Sequence, residues 1–225
     1  MAFESDEARD RARSRLLRAA QKHGIMPIGF INAQLRRRLK LPTGHLTFLL
    51  ADMEGSTELL ARLEDRFAGM LADVLGLVGT AVSREGGVEV SSRGDDVLAV
   101  FESAPGALRA ALAIQRAMNA AAWPAGSEVR LRIGLHRGRP ELTDTGYVGI
   151  SVHAAARICF SAHGGQIVVS SAVRSAVLEE LPDGVSLKGL GSWRFRGLPE
   201  PLEMFQVAAK DLRAEFPPLR SAVPA

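Results

Sequence analysis

The stretch Leu46-Thr-Phe-Leu-Leu-Ala-Asp-Met-Glu-Gly-Ser-Thr57 decides how this chain is read. It opens as a short, mostly apolar run flanked by breakers, which is the signature of a buried strand. The run ends on Asp52, turns through Met53-Glu54-Gly55, and reaches Ser56 and Thr57, either of which can cap a following helix. Leu60, Leu63, Phe67, Leu71, Val74 and Val78 then recur at helical spacing. Residues 57–84 are therefore expected as one long amphipathic helix or two in tandem, stopped at Gly86-Gly87.

Working outward, residues 88–92 and 97–101 are strand-like and flank Arg93-Gly94-Asp95-Asp96, a hairpin signal. Residues 104–122 are Ala-rich and helical. Residues 129–136 form a strand with Val129, Leu131, Ile133 and Leu135 alternating on one face. A helix is expected over 151–162, a short buried strand over 167–169, and three strands near 185–188, 192–196 and 203–207. The order β-α-β-β-α-β, followed by further helix and strand, predicts an α+β fold. Its ferredoxin-like βαββαβ core carries an elaborated C-terminal half and a mostly antiparallel sheet.

Leu41-Pro42-Thr43-Gly44 is a turn-like break. It separates a basic helical extension, residues 1–42, from a main domain, residues 43–210; residues 211–225, with Pro217, Pro218 and Pro224, read as a tail. In the extension, helices are expected over 5–23 and 32–39 around an apolar hinge at 24–30. Residues 1–40 hold ten Lys/Arg against four Asp/Glu, so the rest of the chain holds 18 basic against 21 acidic. The high pI of about 9.5 thus belongs to the extension. A solvated helix face accounts for it better than nucleic-acid or membrane binding, since no aromatic residues interleave with the arginines to stack on bases. Cys159 is the single cysteine, which excludes an intrachain disulfide and fits a reducing compartment. The sequence carries no signal-peptide pattern and no apolar run expected to span a bilayer, so a cytoplasmic protein is expected.

Asp52 at a strand end and Asp95 at a hairpin tip belong to strands that neighbour each other in such a core. Two converging carboxylates, completed by substrate phosphates, suit a hard cation such as Mg²⁺ or Mn²⁺. Gly55 and Gly94 let backbone approach a phosphate closely, and the N–H groups entering the helix after Gly55 favour an anion. The plainer alternative is that turns favour Asp on their own account.

These stretches resemble the class III adenylate/guanylate cyclase catalytic domain. Residues 47–57 resemble its opening strand and turn, and 88–101 its metal-binding hairpin. Arg130 to Gly138 resembles the strand before its dimerisation arm. Residues 149–158 and 163–170 resemble the next helix and strand, and 195–205 the closing hairpin. The resemblance covers residues 45–207. It implies a homodimer whose sites form between subunits, each binding a nucleoside triphosphate and two Mg²⁺ or Mn²⁺ ions. Asp52, Asp95 and the Met53 carbonyl would hold the metals, with Gly55, Ser56, Thr57 and Gly94 near the phosphates. Arg157 falls at the transition-state arginine, and Arg196 at a lysine that contacts the terminal phosphates.

The chain also departs from that pattern. Ser91 stands at the base-selecting lysine, Gly146 at its partner aspartate, and His153 at the transition-state asparagine. Asp96 is an extra carboxylate beside Asp95. Two readings follow. One is a divergent cyclase of weak activity, with ATP the default substrate. The other is a degenerate domain that binds nucleotide or pairs with an intact cyclase as a regulatory module.

Overall fold

The computed structural model describes residues 41–225 apart from 125, 144, 145, 221, 222 and 225, and apart from the side chain of Arg93. The helices, the hinge and the basic surface expected in residues 1–40 lie outside the described residues.

Strand β1 (Leu46–Met53) is buried along its whole length because it is covered on both faces. Leu49, Ala51 and Met53 point into the larger core, while Leu46 and Phe48 pack with Val90, Val100, Tyr147 and Ala155 on the other side. A strand sandwiched this way needs apolar residues at both parities, so it reads as a run rather than as an alternation. The even positions Phe48 and Asp52 therefore share one face of the sheet.

After β1 come α1 (Ser56–Leu63), a 3₁₀ turn at Glu64–Arg66, and α2 (Phe67–Arg84). The expected long helix is thus two in tandem, with Glu64 forced to φ 47° at the joint. Ser56–Arg84 as a whole (29 residues, mean hydropathy 1.3) has the length and composition to cross a membrane, unlike the sequence expectation. Its apolar side is accounted for by the core, where Phe67, Met70, Val74 and Val78 are buried.

Strands β2 (Val88–Arg93) and β3 (Asp96–Phe101) form the expected hairpin, with a bulge between Glu89 and Ser91. Helix α3 (Ala104–Ala120) follows, capped by the Ser103 hydroxyl accepting from Gly106 N at 3.1 Å. Next come β4 (Leu131–Gly138), the small β5–β6 hairpin (Glu141–Thr143 and Gly146–Val148), and α4 (Ile150–Ser161). Then follow β7 (Ile167–Ser170), α5 (Ser171–Val177), β8 (Val185–Arg194), β9 (Leu202–Ala209) and β10 (Val223–Pro224).

The main sheet runs β10-β8-β9-β7-β4-β1-β3-β2. Its β4-β1-β3-β2 portion is the ferredoxin-like core, and β7, β9, β8 and β10 extend it past β4. Only β4 and β7 are parallel; every other neighbouring pair is antiparallel. The two strands expected near 185–188 and 192–196 are one strand, bent by a register shift between Gly189 and Gly191, with Gly191 at φ 90°. The stretch expected as a tail packs on the domain: Leu219 is buried with Ile158, Ala162 and Phe195, and β10 pairs with Trp193 and Arg194.

Helices α2, α3 and α5 cover one face of the sheet and α4 the other. The approach of α4 to β4 depends on Gly134. A Cβ there would lie 2.3 Å from Cys159 N and 2.7 Å from its Cα, so only glycine admits the helix this close.

Candidate active site

The carboxylate of Asp52 leaves the end of β1 on the α4 face. In the paired strands it sits between Asp96 on β3 and Arg132 on β4. Asp52 is only 7% exposed. Arg132 donates to its Oδ2 from Nε at 2.7 Å and lies 2.6 Å from the same oxygen through Nη2. The guanidinium is itself fixed by the end of α4. Nη1 donates to Phe160 O at 3.4 Å, and the group lies 5.1 Å from the centre of the Phe160 ring.

Burial raises the Asp52 carboxyl pKa above the usual carboxylate value. Arg132 opposes that rise, and the nearby charges of Asp95 and Asp96 add to it. In the β1–β3 pairing Asp52 stands opposite Asp96, with Asp95 just before it in the hairpin turn. Arg132 was missing from the sequence reading. Its signal was its parity: in a strand whose odd residues face the core, Arg132 must face the other side, where Asp52 also lies.

Beyond Asp52, Glu54 N donates to Arg130 O at 2.9 Å, and Gly55 turns the chain at φ 67° into α1. At this left-handed conformation a side chain would be strained. No side chain caps α1, so neither Ser56 nor Thr57 acts as the cap; Gly55 holds that position. The loop borders a cleft of about 780 Å³ lined by Glu54, Gly55, Glu58, Arg62, Glu128 and Arg220. Gly94 occupies the hairpin turn at φ 70° with nothing within 4 Å of where a Cβ would stand, so this turn stays open.

The remaining expected site residues are carried by other elements. His153 and Arg157 are exposed, one turn from each other on α4, together with exposed Ile150 and Phe160. Ser91 is half-buried at the β2 bulge, Gly146 opens β6 at φ 123°, and Arg196 is exposed in the turn between β8 and β9. Within one chain the arginines lie on α4 and in the turn between β8 and β9, and the carboxylates on β1 and at the β2–β3 hairpin.

Among the described residues no group of three or more His, Cys, Asp or Glu side chains forms an all-protein metal cage. The two-carboxylate arrangement is different in kind. Buried Asp52 stands opposite Asp96 in the β1–β3 register, and Arg132 meets it only through Oδ2, which leaves Oδ1 to offer a cation. A divalent cation fits such a site.

No family model matches the chain. An uncharacterised protein of Mycobacterium tuberculosis is 40% identical over 183 residues, covering 80% of this chain. The chain spans 62% of the length of that relative. Adenylate cyclases from Trypanosoma brucei in their monomeric state superpose with a TM-score of 0.72 at 24% identity, covering 81% of this chain and 96% of theirs. An adenylate/guanylate cyclase/hydrolase from Silicibacter pomeroyi gives a TM-score of 0.64 at 27% identity, covering 76% and 99%. The chain has the fold of the class III adenylate/guanylate cyclase catalytic domain.

Proposed function

We propose that this domain is a divergent class III nucleotidyl cyclase, forming a 3′,5′-cyclic nucleotide and pyrophosphate from a nucleoside triphosphate, with ATP the default. The observation that carries this reading is the convergence of Asp52 with the β2–β3 hairpin carboxylates beside the Gly55 turn, on the cyclase fold. Asp52, Asp95 and the Met53 carbonyl would hold two Mg²⁺ or Mn²⁺ ions. Bound there, the metals would lower the pKa of the ribose 3′-hydroxyl and neutralise charge on the leaving pyrophosphate.

The protein's part is positioning and charge stabilisation. Backbone N–H groups after Gly55, at the start of α1, donate to phosphate oxygens. Arg132 holds Asp52 through Oδ2, and Oδ1 is the oxygen that would be offered to a metal. Arg157 and Arg196 each offer a cation to phosphoryl oxygens. In this reading a second subunit brings Arg157 and His153 to the carboxylates of the first. The exposed apolar residues Leu142, Val148, Ile150 and Phe160 on the β5–β6 hairpin and α4 provide a face for such a homodimer. The protein works in this reading as a cytoplasmic homodimer.

A second reading, a regulatory module that binds nucleotide or pairs with an intact cyclase, is favoured by the base-facing positions. Gly146 has no side chain to read a base and Ser91 carries no charge. The test is a cyclase assay on purified dimer with ATP, GTP, CTP and UTP separately, in Mn²⁺ or Mg²⁺, beside Asp52→Ala. Cyclic product that disappears in Asp52→Ala establishes the enzyme and names its base. A folded dimer that makes no product with any nucleotide favours the module.

A further inference from the structure

The C-terminal segment reaches back to the loop that carries Asp52. Glu54 is the link. Its backbone is tied to Arg130, just ahead of β4, and its side chain then crosses Gly164, where an added Cβ would lie 2.4 Å from Glu54 Oε2. Glu54 Oε1 meets Arg220 Nη2 at 2.6 Å. That oxygen is buried yet receives no well-directed hydrogen bond, so the contact is one of charge.

Arg220 is itself held tightly for a residue near a chain end. Its N–H donates to Ser161 O at 2.8 Å, at the last residue of α4. Its Nε donates to His163 Nδ1 at 3.0 Å. The accepting Nδ1 leaves the proton on Nε2, which donates to Pro218 O at 3.0 Å. Phe216 stacks on the His163 ring at 6.5 Å, and Gln206 Nε2 donates to Ala214 O at 2.7 Å. The segment is thus a built strap rather than a trailing end.

A partly exposed ion pair of this kind contributes little to global stability. What it fixes is direction. No side chain caps α1 and Gly55 carries none to hold the turn, so the Glu54 side chain adds the side-chain anchor between Asp52 and the helix. We propose that Arg220 is a positioning residue: through Glu54 it holds the Asp52–Gly55 loop in the geometry that metal and phosphate require. Its catalytic consequence rests on the cyclase reading; its structural consequence does not.

The test compares Arg220→Gln, Arg220→Lys and Glu54→Gln with the wild-type full chain. Three readouts are taken: melting temperature, amide hydrogen exchange at residues 54–57, and steady-state kinetics with Mn²⁺ and the best nucleotide. With the melting temperature unchanged, Arg220→Gln should lower kcat about tenfold and raise the Mn²⁺ concentration for half-maximal rate, with KM for the nucleotide changed by less than about twofold. Arg220→Lys, which keeps the charge, should recover part of the loss. Exchange at 54–57 should rise in Arg220→Gln and in Glu54→Gln. An active wild type whose kcat and Mn²⁺ dependence are the same in Arg220→Gln overturns the proposal. If the wild type makes no product from any nucleotide, the cyclase reading falls by itself. The exchange data then decide the strap: faster exchange in Arg220→Gln upholds it, and unchanged exchange overturns it.

Discussion

Both contacts of Arg132 with Asp52 fall on a single oxygen, Oδ2, at 2.7 and 2.6 Å, so the guanidinium does not use Oδ1. The side chains are 19% and 10% exposed, so neither charge is well hydrated. Such a pair is costly to break one partner at a time, because the survivor is left buried and unpaired. Arg132→Met should destabilise the domain by about 2–3 kcal/mol, somewhat below the cost for a fully buried pair. Adding Asp52→Asn in the same chain should recover most of that loss. Urea denaturation of the two single variants and the double variant measures this coupling; additive losses would mean that the pair is not the unit described.

A cation held at this site would add a contact to Asp52 that the unfolded chain lacks, so its binding should be visible as stabilisation without any turnover. At a free Mn²⁺ concentration ten times its Kd, the gain is about 1.4 kcal/mol, or ~3–5 °C in melting temperature for a domain of this size. Asp52→Asn and Asp95→Asn should each abolish the shift. Asp73→Asn, on the exposed side of α2, should leave it intact.

The strands and helices of the core were legible because each carries its own periodicity. The parity of β4 and the run of β1 are local properties, and so is the Gly94–Asp95 turn. What was not legible depends on register. Nothing local says that Asp52 lies opposite both Asp96 and Arg132, since one residue of slip would turn these side chains to the other face. The bulge that joins 185–194 into a single strand was hidden for a similar reason: Gly189 and Gly191 read as a break when they are a bend. The strap was hidden because prolines mark it as irregular, and irregular segments pack through single residues such as Leu219 and Arg220 rather than through a pattern. The roles of Arg157, His153, Ser91, Gly146 and Arg196 came from resemblance and still rest on it.

The seat of α4 on β4 should be intolerant of a single methyl group. Gly134→Ala drives a Cβ into the backbone of Cys159, and backbone cannot rotate away as a side chain can. The expected cost is about 2–3 kcal/mol by denaturation, from overpacking. In the cyclase reading activity falls as well, since His153 and Arg157 ride on the displaced helix. Gly76→Ala is the contrasting change. It lies on the exposed side of α2 with nothing within 4 Å of its Cβ position, and should stabilise by about 0.5–1 kcal/mol.

Stability should also fall in mild acid because of His136. Burial lowers its pKa from 6.5 to about 4, and its Nδ1 lies 2.9 Å from Ser170 Oγ. The folded chain therefore keeps this ring neutral while the unfolded chain takes up a proton. Between those two values the unfolded state binds more protons, so stability drops as pH falls from 6.5 towards 4 and is insensitive to this group above 6.5. The loss attributable to His136 should be about 1–2 kcal/mol by pH 5. His136→Asn, which keeps a polar partner for Ser170 but does not titrate, should flatten that part of the curve. Urea midpoints of both proteins at pH 7.5 and pH 5 make the comparison. Equal losses in the two proteins would place the acid sensitivity elsewhere, and a larger loss in the wild type would assign it to this ring.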